Sequence, residues 1–292
     1  MTTEQCYNDF LRKLTSIYDS REAANITDWV FEYTTGLKRW ERVGNKSVAL
    51  EEGIFQELEK YLYELLQHKP VQYVLHEAWF YKMKFYVDEH VLIPRPETEE
   101  LVEWVVGDVR CTKYDIRFDE VKILDVGTGS GCIPVSIKKE VMHADVIAID
   151  ISADALQVAR KNADTFKTKI DFLQLDFLNE GRWHLLGVYD VIVSNPPYIP
   201  ENEKDKLARN VTAFEPGIAL FADDNNPFLF YDKLAHFAQS HLKPNGNIFV
   251  EIHEDFSKEI QEIFLACGFR TEVRKDIYEK ERMIKATSRQ SN

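Results

Sequence analysis

Residues 121–131 have the sequence Val-Lys-Ile-Leu-Asp-Val-Gly-Thr-Gly-Ser-Gly, an apolar run that ends in closely spaced glycines. The run predicts a buried parallel strand, and a helical pattern follows over residues 132–140. Glycines let a ligand approach the backbone closely, and the start of a helix favours negative charge. The spacing Gly-x-Gly-x-Gly differs from the dinucleotide fingerprint Gly-x-Gly-x-x-Gly. It therefore argues against NAD and favours S-adenosylmethionine, with Asp125 facing the ammonium group of that ligand.

The chain around this stretch alternates between apolar runs and helical patterns. Such alternation predicts an α/β fold, a Rossmann-like and mainly parallel sheet covered on both faces. Two runs near the end, 270–277 and 282–287, have no helix between them and predict an antiparallel hairpin at the sheet edge. The predicted strands are 121–127, 145–151, 170–175, 189–194 and 246–252, and the predicted helices are 132–140, 153–166, 228–242 and 256–266.

The first part of the chain has a different character. Residues 4–68 show helical periodicity without strand signals, so we expect residues 1–70 to form a small helical bundle that recognises a substrate. Aromatic and β-branched residues over 71–96 predict a β-hairpin linker. Prolines stop that segment, and the acidic residues from Glu97 open a helix of the third region, residues 97–292.

Acidic residues end the two strands that follow the glycine loop. Asp150 comes about twenty residues after the loop, the spacing at which a carboxylate reaches ribose hydroxyls. The alternative role for Asp150 is to cap the next helix, although Ser152 is placed to do so. Asp176 and Phe177 end the next strand, where an acid and a ring suit the amino group and plane of adenine.

A stiff corner follows the strand at 189–194. Asn195, Pro196, Pro197 and Tyr198 stand in sequence there, and the two prolines fix the local backbone. The side-chain oxygen of Asn195 and the carbonyl of Pro196 are acceptors beside the ring of Tyr198. They suit a planar –NH₂ group, either a carboxamide or the amino group of a base. The simpler interpretation is a proline-rich turn that only ends the strand.

Composition restricts the class of protein. A net charge of −13 and a pI near 5.2 provide no overall basic footprint for nucleic acid, so we expect no direct nucleic-acid binding. The four cysteines form no Cys-x-x-Cys pair, and the eight histidines form no His-Glu-x-x-His, so no metal site is predicted. No leader or membrane span is recognised, which predicts a cytoplasmic protein without a membrane partner, and we expect a monomer.

The glycine loop and the corner at 195–198 together resemble class I methyltransferases that modify a planar nitrogen. Residues 91–99 (Val-Leu-Ile-Pro-Arg-Pro-Glu-Thr-Glu) and 214–220 (Phe-Glu-Pro-Gly-Ile-Ala-Leu) are similar to signatures of one branch, the HemK-type release factor glutamine methyltransferases. The resemblance implies that 97–292 is a methyltransferase domain that converts S-adenosylmethionine into S-adenosyl-L-homocysteine. It also implies class I peptide chain release factors as partners, methylated at N5 of the glutamine in their Gly-Gly-Gln motif.

The predicted site combines these residues. Asn195 and Pro196 each accept one N–H of the substrate amide, and Tyr198 packs on the amide plane, so no general base is required. His253 is expected to be a rim or packing residue. The catalytic set is Asn195, Pro196 and Tyr198; the substrate set is Asn195, Pro196, Pro197 and Tyr198; the cofactor set is Gly127, Thr128, Gly129, Ser130, Gly131, Asp150, Asp176, Phe177 and Asn195.

Three alternatives remain open from the sequence. An N6-adenine nucleic-acid methyltransferase shares the corner but normally carries a basic target-recognition region. A glutamine methyltransferase of a ribosomal protein shares the corner entirely. A non-enzymatic binding module with this fold is expected to have lost the loop or the corner, and both are intact.

Overall fold

The computed structural model describes residues 1–45, 47–111, 121–223 and 225–288. The chain divides into two compact units. The first comprises Met1–Glu77 with Ala208–Phe214, and the second comprises Ala78–Leu207 with Glu215–Asn292. Within the described residues, no helix is long and apolar enough to cross a membrane.

The first unit is helical, as the periodicity of its sequence predicts. Thr2 and Gln5 form a reciprocal capping box at the first helix, and Asp19 caps the second. Gly36 ends the second helix in the left-handed conformation, at φ 70°. The helices are α1 (Thr3–Leu14), α2 (Ser20–Thr35), α3 (Arg39–Gly44), α4 (Glu52–Leu66), α5 (Val71–Leu75) and, later in the chain, α9 (Arg209–Phe214).

The core of this unit is built from the apolar faces of four of these helices. It consists of side chains that recur at three- and four-residue spacing, which places them on one side of each helix. Its fully buried members include Leu14, Val30, Phe31, Leu58 and Leu65.

The predicted hairpin linker over 71–96 is only partly correct. The hairpin itself is short, with β1 (Ala78–Phe80) antiparallel to β2 (Met83–Phe85). Val71–Leu75 is a helix, because burial of Val71, Val74 and Leu75 in the core of the first unit outweighs the strand preference of valine. Residues 91–93 form no strand, since the Ile93 N–H donates to the Glu215 side chain instead of to a neighbouring strand.

The second unit contains a seven-stranded sheet in the order β5-β4-β3-β6-β7-β9-β8. The strands from β5 to β7 are mutually parallel, and β9 is antiparallel to both β7 and β8, which confirms the predicted α/β fold and its C-terminal hairpin. These strands are β3 (Lys122–Val126), β4 (Asp145–Asp150), β5 (Asp171–Gln174), β6 (Tyr189–Ser194), β7 (Leu242–Glu251), β8 (Arg270–Lys275) and β9 (Glu281–Thr287).

Helices cover both faces of the sheet. Along β6, Val191 and Val193 pack into one buried cluster and Ile192 into the other, so every side chain of the strand is buried. The helices are α6 (Pro96–Cys111), α7 (Cys132–Glu140), α8 (Ala153–Thr165), α10 (Gly217–Leu220), α11 (Leu229–His241) and α12 (Ser257–Ala266), and 3₁₀ turns span Glu180–Leu185 and Glu201–Lys206.

The strand order reverses direction between β3 and β6. The chain passes from β3 to β4 and β5 on one side, and then returns to place β6 on the other side of β3. In open α/β sheets, ligands bind outside the carboxyl ends of strands at such a switch point. The glycine loop follows β3 and the Asn195 corner follows β6, so the fold brings both to this position.

Candidate active site

A cavity of about 380 Å³ lies at the carboxyl ends of β3, β4 and β6. Most of the residues predicted from the sequence contribute to its wall. Those that do are Gly127, Thr128, Gly129, Ser130, Asp150, Asp176, Phe177, Asn195 and Pro197, whereas Gly131, Pro196 and Tyr198 are not part of the lining.

The glycine loop needs glycine for its backbone conformation. Gly127, Gly129 and Gly131 have φ values of 77°, 51° and 77°, in the left-handed region. At Gly131 a side chain is also excluded by space, because a Cβ atom there would lie 3.0 Å from the Cβ of Ala159 on α8. Gly131 therefore shapes the loop and lets α7 start close to α8 without itself facing the cavity.

Asp125 is an acid buried inside the second unit without a partner. Its side chain is fully buried at the end of β3, and neither carboxylate oxygen has a hydrogen-bond partner in the described structure. Burial raises the pKa of Asp125 to about 7. Asp125 does not itself line the cavity, but it lies two residues before Gly127, which does. Buried charges are normally paired, so this carboxylate is suited to the cationic group of a ligand bound beside the glycine loop.

Asp150 holds the glycine loop against the end of β4. Its Oδ2 accepts the Gly129 N–H at 2.9 Å, and its Oδ1 accepts the Ser152 N–H at 2.9 Å. The helix cap is provided by Ser152, whose hydroxyl accepts the Ala155 N–H at 3.1 Å. Each carboxylate oxygen retains acceptor capacity beyond one bond, so Asp150 can also accept hydroxyl protons from a ligand.

The Asp176-Phe177 pair lies beyond β5. Asp176 accepts the Leu178 N–H at 3.0 Å and lines the cavity. The ring of Phe177 is buried in an aromatic cluster, stacked on Phe230 with 5.7 Å between centroids. Ile151 and Leu178 are substantially exposed apolar residues that also line the cavity. These two side chains provide an apolar wall for a flat ligand. They were not predicted as site residues, although their positions close to Asp150 and Asp176 in the sequence could have indicated such a role.

The corner after β6 is fixed to the neighbouring strand and to α6. The Ser194 hydroxyl donates to the Val126 carbonyl at 2.7 Å, which ties the ends of β6 and β3 together. The Asn195 Nδ2 donates to the Thr98 hydroxyl at 3.1 Å, and both residues line the cavity. Asn195 therefore lies where the sequence places it, in the same cavity as the glycine loop.

Tyr198 has a partner that the sequence did not indicate. Its hydroxyl donates to Glu251 Oε1 at 2.9 Å, and the ring packs against the core cluster of the sheet. Burial is the main cause that raises the pKa of Tyr198 well above 10, with the Glu251 charge adding to it. His253 packs beside Tyr198 and Phe256, with ring centroids 6.3 and 5.0 Å away, outside the cavity lining.

Comparison with known proteins gives the family. A family model described as "Methyltransferase small domain" matches residues 113–213. The release factor glutamine methyltransferase of Flavobacterium psychrophilum is 39% identical over 284 residues, which cover 96% of this chain and 97% of that protein. The protein of the same name from Bacteroides thetaiotaomicron is 34% identical, covering 94% of this chain and 96% of its own length.

The chain belongs to the release factor glutamine methyltransferase family. The resemblance inferred from the sequence is thereby confirmed. Among solved structures, the protein-(glutamine-N5) methyltransferase of Alicyclobacillus acidocaldarius is 28% identical with a TM-score of 0.42, covering 70% of this chain and 99% of that one.

In this member of the release factor glutamine methyltransferase family, the two signature stretches meet. Arg95 lies in the 91–99 stretch and donates from Nη2 to Glu215 Oε1 at 2.6 Å, in the 214–220 stretch. Arg95 also lines the cavity. Thr98, Glu215 and Glu251 were not predicted as site residues, because their partners are distant in sequence.

Proposed function

We propose that this chain transfers the methyl group of S-adenosylmethionine to N5 of the glutamine in the Gly-Gly-Gln motif of class I peptide chain release factors, leaving S-adenosyl-L-homocysteine. The observation that carries the proposal is that Asn195 and Pro197 line the same cavity as the glycine loop and Asp150. An amide-binding corner and a cofactor loop in one cavity suit methyl transfer to a planar nitrogen. The family of the chain supports the release factor as substrate.

The residues of the cavity fit S-adenosylmethionine. Asp125 lies behind the cavity lining, two residues before Gly127, and its buried carboxylate, without a hydrogen-bond partner among the described residues, suits the ammonium group of the methionyl moiety. Asp150 suits the ribose hydroxyls and Asp176 the adenine amino group, with Ile151 and Leu178 beside the ring. The volume of about 380 Å³ falls in the range typical of small-molecule sites. When bound, S-adenosylmethionine supplies an activated methyl group.

The corner supplies what an amide nucleophile needs. The lone pair of an amide nitrogen is delocalised into its carbonyl, so the nitrogen attacks only when it is held in the correct orientation. Asn195 Oδ1 would accept one N–H, and the carbonyl of Pro196, which stands between the two lining residues Asn195 and Pro197, would accept the other. Fixed acceptors stabilise the positive charge that builds on nitrogen. Tight alignment contributes roughly 7–11 kcal/mol in model reactions. The proton then leaves to water, so the chain needs no general base.

Other properties are proposed with this activity. A net charge of −13 favours a protein partner with basic surface over nucleic acid. The helical unit, Met1–Glu77 with Ala208–Phe214, is proposed to recognise parts of the release factor outside the Gly-Gly-Gln motif. We propose that the enzyme acts as a monomer in the cytoplasm.

The test is mass spectrometry of a purified class I release factor after incubation with the enzyme and S-adenosylmethionine. We expect a gain of one methyl group on the peptide that contains Gly-Gly-Gln, with fragmentation assigning it to the glutamine. A release factor with that glutamine replaced by alanine should remain unmodified, and the Asn195→Ala enzyme should retain only a small residual turnover on the wild-type factor. Absence of methylation by the wild-type enzyme, or methylation of an adenine-containing duplex in its place, would overturn the proposal.

A further inference from the structure

Three side chains from three separate elements form a hydrogen-bonded relay behind the corner. The Asn195 Nδ2 donates to Thr98 Oγ1 at 3.1 Å, and the Thr98 hydroxyl donates to Glu251 Oε2 at 2.6 Å. Thr98 lies in the first turn of α6, and Glu251 is the last residue of β7. Their side chains are almost completely buried, at 2% and 1% exposed. The first hydrogen bond joins residues 97 positions apart in the sequence, and the second joins residues 153 positions apart.

The register of the sheet explains why these residues meet. Strands β6 and β7 are parallel neighbours, with Ser194 opposite Val250. Asn195 directly follows the last residue of β6 and Glu251 is the last residue of β7, so both lie at the same edge of the sheet. Thr98 fills the space between them from the start of α6 and bonds to both.

The number of available protons gives this relay a direction. Burial raises the pKa of Glu251, while the hydrogen bonds from Thr98 and Tyr198 and the charge of Arg282 favour the ionised carboxylate. The ionised form has no proton to donate, and its two oxygens accept the hydroxyl protons of Thr98 and Tyr198. The single hydroxyl proton of Thr98 is therefore committed to Glu251, and only its lone pairs face Asn195. Lone pairs accept only from the amino end of the Asn195 amide. The other end, Oδ1, is left to accept.

We infer that Thr98 and Glu251 are positioning residues that lock the Asn195 side-chain amide with Oδ1 presented as the acceptor for the substrate N–H. An asparagine amide is nearly symmetric in shape, so packing alone selects weakly between its two orientations. In the reversed orientation Nδ2 would present a donor to the –NH₂ group of the substrate, and two donors repel. The hydrogen bonds among Asn195, Thr98 and Glu251 select the amide orientation that shape alone does not. This inference rests on the proposed function for the identity of the substrate.

The kinetic test compares three enzymes on purified class I release factor with S-adenosylmethionine. Thr98→Val has nearly the same shape but no hydroxyl, and its kcat should fall about 10- to 100-fold because a loosened amide misplaces the substrate. Thr98→Ser retains the hydroxyl and should recover kcat to within about threefold of wild type. The dissociation constant of S-adenosylmethionine, measured by calorimetry, should change less than about twofold in either variant. Wild-type kcat in Thr98→Val would overturn the inference.

Two further variants separate positioning from a general structural effect. Thr98→Val in an Asn195→Ala background should cause less than about a twofold further loss, because a residue that acts only through Asn195 has nothing left to position. A full additive loss would contradict the inference. The matched control is Tyr231→Phe, which removes another buried hydroxyl that donates to Glu251, but to its backbone carbonyl at 2.9 Å. It should retain wild-type kcat.

Glu251→Gln tests which group donates the proton in each hydrogen bond of the relay. It also provides an independent test if Thr98→Val fails to fold. A glutamine amide can donate to Thr98, which frees the Thr98 proton for Asn195 Oδ1 and reverses the preferred orientation. Because glutamine and glutamate side chains have nearly the same volume, the packing should be retained while kcat falls about 10- to 100-fold. Unchanged kcat would contradict the inference.

A measurement without substrate keeps this inference distinct from the proposed function. The side-chain NH₂ resonances of Asn195, assigned by their loss in Asn195→Ala, should show one proton shifted downfield by the bond to Thr98. Thr98→Val should abolish that shift, and Thr98→Ser should preserve it. If the wild-type enzyme leaves release factor unmodified, the proposed function fails, and these resonances still decide the orientation. If the Asn195 NH₂ resonances of Thr98→Val were identical to those of the wild-type enzyme, the inference would be overturned.

Discussion

Arg95 Nη2 lies 2.6 Å from Glu215 Oε1, and the ion pair joins residues 120 positions apart. The second oxygen of the same carboxylate accepts the Ile93 N–H at 3.1 Å. The Glu215 side chain is only 1% exposed, whereas that of Arg95 is 31% exposed. One buried carboxylate therefore holds both a side chain and a backbone group of residues 91–99, which form part of the cavity wall.

The first prediction concerns this carboxylate. Glu215→Ala should lower the free energy of unfolding by about 2–4 kcal/mol, since it leaves a partly buried guanidinium and a backbone N–H without their acceptor. Urea denaturation measures the change. The control is Arg12→Ala, which breaks an ion pair with Asp9 in which the arginine is 73% exposed and should cost less than about 1 kcal/mol. Equal stability of both variants would show that Glu215 does not hold the segment.

The second prediction concerns the cofactor. Asp150→Ala should weaken S-adenosylmethionine binding about 10- to 100-fold, because the ribose loses a charged acceptor and the loop loses its bond at Gly129. Isothermal calorimetry measures the dissociation constant. Asp154→Ala is the matched control, since it removes the same charge from an exposed position in the first turn of α8. Unchanged affinity in a folded Asp150→Ala protein would remove Asp150 from the site.

The third prediction concerns pH. Burial raises the pKa of Asp125 from 3.8 to about 7, so between these values the folded protein binds a proton that the unfolded chain has lost. This contribution to stability is present at low pH and disappears as pH rises towards about 7. Asp125→Asn carries no such charge, so at pH 8 the cofactor-free variant should be more stable than wild type by on the order of 1–4 kcal/mol.

Calorimetric melting between pH 5 and pH 8 tests this. The difference in melting temperature between Asp125→Asn and wild type should grow as pH rises, and Asp125→Asn should bind S-adenosylmethionine more weakly. Asp154→Asn, at an exposed position, should show no such trend. A constant difference across the range would mean that Asp125 is not the titrating group.

Much of the fold was predictable because its signals are local. The buried runs at 121–127 and 189–194 are apolar enough to specify parallel strands, and closely spaced glycines specify a loop that only glycine can form. The Asn195 corner was predictable for the same reason, since two prolines determine its backbone directly. The helix at Val71–Leu75 was missed because its conformation depends on burial in a core, which valine-rich local sequence does not report.

The supporting residues of the site were not predictable from local patterns. Thr98 looks like an ordinary residue in the first turn of a helix, and Glu251 like the end of a strand. Their role depends on the register between β6 and β7 and on the position of α6, which only the folded chain supplies. The same holds for Tyr198, whose ring was expected on the substrate amide. Its hydroxyl is bonded to Glu251, and its contact with substrate stays a prediction.

The last prediction concerns the helical unit. A Gly-Gly-Gln motif offers little surface, so selecting one glutamine among all cellular glutamines needs contacts elsewhere. Each unit has a core of its own: the helical core lies within residues 6–75, and the two clusters of the sheet begin at Phe80. A chain that begins at Ala78 should therefore retain S-adenosylmethionine binding by calorimetry. Its kcat/KM on intact release factor should fall at least about 100-fold, while both forms should be similarly slow on a short Gly-Gly-Gln peptide. Equal activity on intact release factor would place recognition in the methyltransferase domain alone, and loss of cofactor binding would show that the helical unit supports the fold of that domain.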